Sequence, residues 1–278
     1  MIIWLASYPK SGNTLLRSLL GTYFFSPNGE FDFKYIYKIQ QFPAYKFFKN
    51  INIDIANHNE IFKNYIRAQD FINQKYSGIN FLKTHAAFVK IQGCNFTDLK
   101  NTLGAIYIVR DPRNVAISFA HHYTQEIDYS VNDMIYEKAN LVANSHLPHT
   151  FISSWGKNYN SWKQLGNRVL IIKYEDLVNK KKETFIKILN FLNFLGIKNL
   201  GFNDTKIDNL VKDTDFKKMK KLEKKTSFNE SIVDKNTGKK KPFFYLGPNN
   251  DWKNILSNES KEKIESKFFL EMRELGYL

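Results

Sequence analysis

Residues 1–18 read as a strand, a loop and a helix in immediate succession, and this turn constrains the fold more than any other stretch. Ile2-Ile3-Trp4-Leu5 is a short apolar, β-prone run. From Asn13 to Leu20 the apolar residues recur at the spacing of a helix with one face packed inward. Between them, Ser7-Tyr8-Pro9-Lys10-Ser11-Gly12 carries the chain from one element to the other. A loop in this position aims several backbone N–H groups, and the positive end of the helix dipole, at one point. Two readings stand at this stage: an anion site, with phosphate the natural guest, or a plain corner whose Gly12 is only a turn device.

The triphosphate-binding pattern G-x-x-x-x-G-K-[ST] is nearly present but not met. With Gly12 as its second glycine, Ser7 takes the place of the first and Asn13 that of the lysine. The cation that a γ-phosphate and Mg²⁺ require is missing, and Lys10 sits inside the loop instead. That displacement argues for a different phosphate ester.

Three further strands follow. Ile79-Asn80-Phe81-Leu82-Lys83 gathers its polar residues at the carboxyl end, Lys83-Thr84-His85, where open α/β sheets bind ligands. His85 is there a candidate general base. Gly104 to Val109 is a continuous apolar run ending in Arg110-Asp111-Pro112-Arg113, with Pro112 suited to a first helical turn and Asp111 to its cap. Arg110 could meet a phosphate with its fork of donors or pair with an acid such as Asp111. Ser118 lies two turns into that helix. Val169 to Tyr174 is another buried strand, and Glu175-Asp176 opens the helical region after it. Strands alternating with helices imply an α/β fold, a central parallel sheet flanked by helices with right-handed crossovers.

With 278 residues the chain suffices for a single domain. Residues 30–76, rich in Phe and Tyr, are expected to form a helical insertion on the acceptor side, and residues 129–165 to be helical with polar interruptions. Residues 212–250 form a lysine-rich segment, either a solvated stretch or a flap that orders over an anion. The 41 basic and 27 acidic side chains give a net charge of +14, which favours an anionic ligand without choosing between a nucleotide and nucleic acid. A single cysteine, Cys94, excludes an intramolecular disulfide and a four-thiolate metal site, so a reducing compartment is expected. The histidines show no ligand spacing, and no metal is expected. No run has the length of a spanning helix and no leader is evident; the expectation is a soluble, cytoplasmic protein.

Taken together these segments resemble the sulfotransferases that use 3′-phosphoadenosine 5′-phosphosulfate (PAPS), and the resemblance spans almost the whole chain. Tyr8-Pro9-Lys10-Ser11-Gly12-Asn13-Thr14 resembles that family's 5′-phosphosulfate loop, and Leu82-Lys83-Thr84-His85 its catalytic segment. Tyr107 through Ser118 resembles the 3′-phosphate segment, Tyr174-Glu175-Asp176 the strand-end motif, Asp213-Thr214-Asp215-Phe216 the adenine-side segment, and Gly247 through Asn254 the terminal loop. The resemblance implies His85 as base, with Lys10 and Lys83 as catalytic cations. It implies the backbone of Ser11, Gly12, Asn13 and Thr14 as holder of the 5′-phosphate, Arg110 and Ser118 of the 3′-phosphate, and Tyr174, Thr214, Phe216 and Gly247 around the nucleotide. PAPS is then the donor, 3′-phosphoadenosine 5′-phosphate (PAP) the product, and a metal unnecessary. The expected partner is a small-molecule or glycan acceptor, without nucleic acid or a membrane span.

The chain departs from the family at three points. The Arg-Lys-Gly of the terminal loop reads Tyr245-Leu246-Gly247, and Lys239, Lys240 and Lys241 are candidates to replace its cations. Leu15 stands where an adenine-stacking aromatic is common. Residues 253–262 match the dimerisation segment only in part, so a homodimer is one expected arrangement. The competing readings are a P-loop small-molecule kinase and a non-catalytic polyanion-binding protein; Asn13 and His85 count against the first, and the separation of aromatics from lysines against the second.

Overall fold

A computed structural model describes the chain apart from residues 198–199, 227 and 235–236. Its centre is a five-stranded parallel sheet: β1 (Ile2–Ala6), β2 (Gln40–Gln41), β3 (Asn80–Thr84), β4 (Thr102–Val109) and β5 (Val169–Lys173), in the order β2-β3-β1-β4-β5. β1 occupies the middle, with Leu5 beside Lys83 on one flank and Ile106 on the other. The chain fills one side of β1 before crossing to the other. The strand order therefore reverses at β1, and the crevice at its carboxyl end is where such sheets bind ligands.

The central strands β1 and β4 are buried on both faces, which is why they read as unbroken apolar runs rather than alternating ones. Ile2, Trp4 and Ala6 look into one core with Phe42, Phe96, Tyr107 and Trp162; Ile3 and Leu5 look into the other with Leu16, Leu19, Ile108, Ile172 and Phe185. Trp4 is wholly buried against Phe42, Phe96 and Trp162, and its indole N–H donates to Thr102 Oγ1 at 2.8 Å. Helix α1 (Asn13–Phe25) follows the first loop, and the helix Pro112–Tyr123 follows β4, with Asp111 as its side-chain cap and Pro112 in its first turn as expected. The helix Tyr174–Asn179 begins directly after β5. Glu175 sits in its first turn, and its carboxylate accepts the Asp111 N–H at 3.2 Å and the Tyr277 hydroxyl at 2.9 Å.

Three segments are built differently from their composition. Residues 30–76 are largely helical, but Gln40–Gln41 forms the edge strand β2, with Gln41 level with Lys83. Residues 129–165 contain a short antiparallel strand pair, Asn140–Leu141 with Thr150–Phe151, between two helices. The lysine-rich segment is not simply a solvated run. The segment forms the helix Phe216–Thr226 and the antiparallel pair Ile232–Val233 with Lys240–Lys241, and it supplies Met219, Phe228 and Phe244 to a third, small core shared with Phe33 and Ile36. Phe228 is fully buried and stacks on Phe33 with ring centres 4.6 Å apart. Its burial supplies roughly 1.5–3 kcal/mol toward holding this cap on the domain.

Candidate active site

The loop after β1 is held open toward the crevice by its backbone. Lys10 and Gly12 both take the left-handed conformation, at φ 66° and 103°. A Cβ on Gly12 would lie 2.4 Å from the ring of Tyr174, the first residue after β5. Glycine is therefore required there both for its dihedral and for the close approach. Helix α1 starts at Asn13, and the first repeating bond of the helix is Leu16 N–H to Gly12 O. The preceding N–H groups at the helix start have no intrahelical acceptor. The Asn13 side chain does not face the opening. Its Nδ2 donates to Leu5 O at 2.8 Å and to Ser7 Oγ at 3.2 Å, while Oδ1 accepts from Arg17 Nε. The residue in the lysine position of the triphosphate pattern is thus a latch between loop and strand, and its backbone N–H alone can serve an anion.

His85 lies immediately beyond β3. Its Nδ1 is 2.9 Å from Ser7 O and 3.2 Å from Ser7 Oγ. A carbonyl oxygen only accepts, so Nδ1 carries the proton and Nε2 keeps its lone pair. Burial, and then the Lys83 charge, hold the imidazole well below its ordinary range, so it is neutral at physiological pH. The far side of the segment is fixed too: Asn158 Nδ2 donates to His85 O at 3.0 Å, and Tyr107 donates to Asn158 Oδ1 at 2.8 Å.

The three expected cations, Lys10, Lys83 and Arg110, converge on the crevice. Burial pushes Lys10 down to about 7 and Lys83 down to about 8, with Glu230 acting in the opposite direction on both. The Lys10 ammonium lies 4.1 Å from the centre of the Phe243 ring. Arg110, at the end of β4, stacks its guanidinium 4.3 Å above Tyr174, and its Nη1 donates to Lys10 O at 3.4 Å. Asp111 does not pair with it. That carboxylate is taken by Arg113 at 2.7 Å, which also binds Glu265 at 2.6 Å and lies over Trp252. Among the described residues Arg110 has no acidic partner and its buried Nε has no hydrogen-bond partner; the buried Ser11 hydroxyl is likewise unpartnered. Each orphan costs about 1–3 kcal/mol unless something bonds it. A phosphate at the loop and another beside Arg110 would satisfy both, so the residues present fit a donor with two separate phosphates.

The remaining expected residues divide. Ser118 lies half-buried two turns into the helix after Arg110, and its hydroxyl has no partner among the described residues. Phe216 and Gly247 are brought together, since a Cβ on Gly247 would lie 2.3 Å from the Phe216 ring. Thr214 is buried near them, but its hydroxyl is spent on Leu210 O at 2.7 Å. Lys241 reaches the end of the Pro112–Tyr123 helix, 3.4 Å from Thr124 Oγ1, and pairs with Asp234 at 2.9 Å. Tyr245, in the place of the family's arginine, stacks on His121 with ring centres 3.8 Å apart. Two participants were absent from the sequence reading, Arg17 and Glu230, which form an ion pair of 2.5 Å inside the site. For Arg17 the signal was its place one turn after Asn13; for Glu230 the sequence carried none.

A groove of about 590 Å³ opens beside β2, lined by Gln41, Tyr45, Lys46, Lys49, Ile55 and His146 among others. Because Gln41 is level with Lys83, the groove begins one strand away from the catalytic segment. Among the described residues no group of three or more His, Cys, Asp or Glu could hold a metal ion, and no helix is long and apolar enough to cross a membrane.

Comparison with known proteins bears on the family and the fold. The sulfotransferase domain model matches residues 2–276. Human sulfotransferase 1E1 is 27% identical over 173 residues, 61% of this chain and 55% of its own length. Rat sulfotransferase 1A1 is 26% identical over 186 residues, 64% of this chain and 59% of its own. The match thus spans little more than half the length of these two. Flavonol 3-sulfotransferase of Flaveria bidentis is 24% identical over 275 residues, 95% of this chain and 79% of its own. Among solved structures, mouse sulfotransferase SULT7A1 complexed with PAP shares the fold at a TM-score of 0.62 and 20% identity, covering 99% of this chain and 85% of that one. Retinol dehydratase, in complex with androsterone and inactive cofactor PAP, does so at 0.62 and 15%, covering 98% and 80%.

Proposed function

The chain belongs to the sulfotransferase domain family, and on that premise we propose that it moves a sulfuryl group from PAPS to a hydroxyl or amine of an acceptor, with His85 as general base. The observation that carries this reading is the His85 tautomer. Its Nδ1–H is tied to Ser7 O, so a neutral Nε2 lone pair stands at a strand end beside Lys83 and one strand from the anion loop. The donor supplies an activated sulfur–oxygen bond to a phosphate leaving group. Everything else falls to the chain. Nε2 takes the acceptor proton, Lys83 faces charge on the transferred group, and Lys10 faces charge on the departing phosphate oxygen. The backbone of Gly12 to Thr14 with the free Ser11 hydroxyl holds the 5′-phosphate, the Ser11 N–H being turned to Tyr8 O at 3.3 Å, and Arg110 with Ser118 holds the 3′-phosphate. Tyr174 positions both Gly12 and Arg110. The adenine falls to Phe216 and Gly247.

The acceptor enters by the groove beside Gln41. Its lining pairs apolar Tyr45, Ile55 and Leu147 with Lys46 and Lys49, a combination suited to an acceptor with an apolar body and an acidic group. The cap of residues 212–250 serves as the flap over the donor.

The test is the variant His85→Ala. PAP binding, read by calorimetry, stays nearly intact, while sulfuryl transfer from labelled PAPS to a panel of phenols, alcohols, amines and acidic glycans falls by roughly 10²- to 10⁴-fold. Transfer at the wild-type rate would remove His85 from the reaction.

A further inference from the structure

Glu230 belongs to a segment crowded with lysines, yet its carboxylate lies inside the site. Oε1 is 2.5 Å from Arg17 Nη2 and 3.5 Å from Lys83 Nζ, and Oε2 accepts the Thr14 hydroxyl at 3.0 Å. The three partners come from the first turns of α1 and the carboxyl end of β3, whereas Glu230 arrives from the turn between the helix Phe216–Thr226 and the strand Ile232–Val233. Phe228, two residues earlier, is the buried ring that seats this turn against Phe33. The Arg17 side chain is 3% exposed, and its other hydrogen bonds go to Asn13 and Thr14, neither of which carries charge. A guanidinium and an ammonium buried this deeply require an anion. The chain provides one from a different part of the sequence.

The form of that anion is informative. A carboxylate presents one negative charge over adjacent oxygens, as does a sulfuryl group on a phosphosulfate. The donors meeting it are a guanidinium, an ammonium and a hydroxyl. Two of them come from the start of α1, just after the phosphate loop, and the third is Lys83, two residues before His85. The charges of Lys83, Glu230 and Arg17 all act on the His85 imidazole. The transferred group of such a donor must pass beside these groups. We propose that Arg17, Lys83 and the Thr14 hydroxyl form the subsite for the sulfuryl group of the donor, and that Glu230 fills this subsite as an internal stand-in which the entering donor displaces. The proposal rests on the reading of the site as a phosphosulfate site and adds to it Arg17 as a residue that binds the group transferred. It also gives the chain a means of telling the charged donor from the spent one. PAPS must expel Glu230 to bind, while PAP, lacking the sulfuryl group, leaves the carboxylate where it is.

The experiment compares PAPS and PAP affinities, by calorimetry, for the wild type, Glu230→Gln and Glu230→Ala. Removing the competing charge is expected to tighten PAPS roughly tenfold to a hundredfold, as for any site freed from a dominant closed state, while PAP changes by less than about threefold. PAPS affinity that stays constant or weakens, with PAP still bound, overturns the subsite and leaves the donor reading standing. Equal tightening of both nucleotides also overturns it, because Glu230 would then cover the phosphate and not the sulfuryl position. Failure of wild type and variants alike to bind either nucleotide overturns the donor reading and the subsite together. A second measurement uses the wild type alone: amide exchange over residues 228–234 should be faster with PAPS bound than with PAP bound, since both nucleotides lie under the cap and only PAPS expels Glu230. Equal rates with the two nucleotides would refute displacement.

Discussion

The depressed Lys10 and Lys83 predict an unusual pH profile. Lys10 is pushed down to about 7 from 10.5, and Lys83 to about 8, in both cases chiefly by burial. Both must be protonated to face the charge developing on the departing and transferred groups. His85, held well below its ordinary range, is already neutral throughout this interval and contributes no limb to it. Between pH 7 and 9 the protonated fraction of a group titrating near 7 falls about fiftyfold, and that of a group near 8 about tenfold. The kcat/KM for PAPS, which reports the free enzyme, should therefore drop by about five-hundredfold over these two pH units. In Lys10→Arg, whose guanidinium keeps its proton, only a drop of about tenfold should remain. Stability moves the other way. The folded protein binds fewer protons at Lys10 than the unfolded chain does between about pH 7 and 10.5, so this group's contribution to stability rises with pH across that window. A thermal melt at each pH then separates loss of a proton from loss of fold. A flat kcat/KM between pH 7 and 9 would refute the assignment of Lys10, as would a wild-type drop persisting in Lys10→Arg.

Two further outcomes follow from contacts described above. Arg110→Ala removes a guanidinium with no acidic partner among the described residues, so PAP affinity should fall by about tenfold to a hundredfold while adenosine 5′-phosphate is affected far less; equal losses for the two nucleotides would show that Arg110 does not face the 3′-phosphate. Phe228→Ala empties the centre of the small third core, a change that costs about 3–5 kcal/mol and should appear as faster amide exchange across residues 216–234 with β1 and β4 unaffected. Unchanged exchange would mean that the cap is held by something other than this ring.

What the sequence disclosed was whatever depends on local pattern. β1 and β4 are apolar runs buried on both faces of a parallel sheet, β3 and β5 are apolar-centred strands beside them, and each is followed by the polar residues of the crevice. The loop before α1 announced itself through Gly12 and the helix start. β2 could not be read, because Gln40 and Gln41 are two polar residues made into a strand only by the neighbouring edge of β3. The lysine-rich segment misled for a related reason. Its composition suits solvent, but Met219, Phe228 and Phe244 are sparse in sequence and close in space, and they find their partners in Phe33 and Ile36. Glu230 is the extreme case: its role follows from where Phe228 docks, which nothing local encodes. Asn13 was assigned by position, yet only the structure shows that its side chain turns back to Leu5.

The contact between Gly12 and Tyr174 sets a limit on transplantation. The ring fills the space that a Cβ would have taken, and the same ring carries Arg110 on its edge of the crevice. The shape of the first loop is thus held by a residue more than a hundred positions away, at the end of another strand. Tyr8 to Thr14 moved alone into a foreign strand and helix would bring the glycine without the surface against which it is pressed. The portable unit is the pair of strand ends, and a substitution accepted at either one alters what the other can accept.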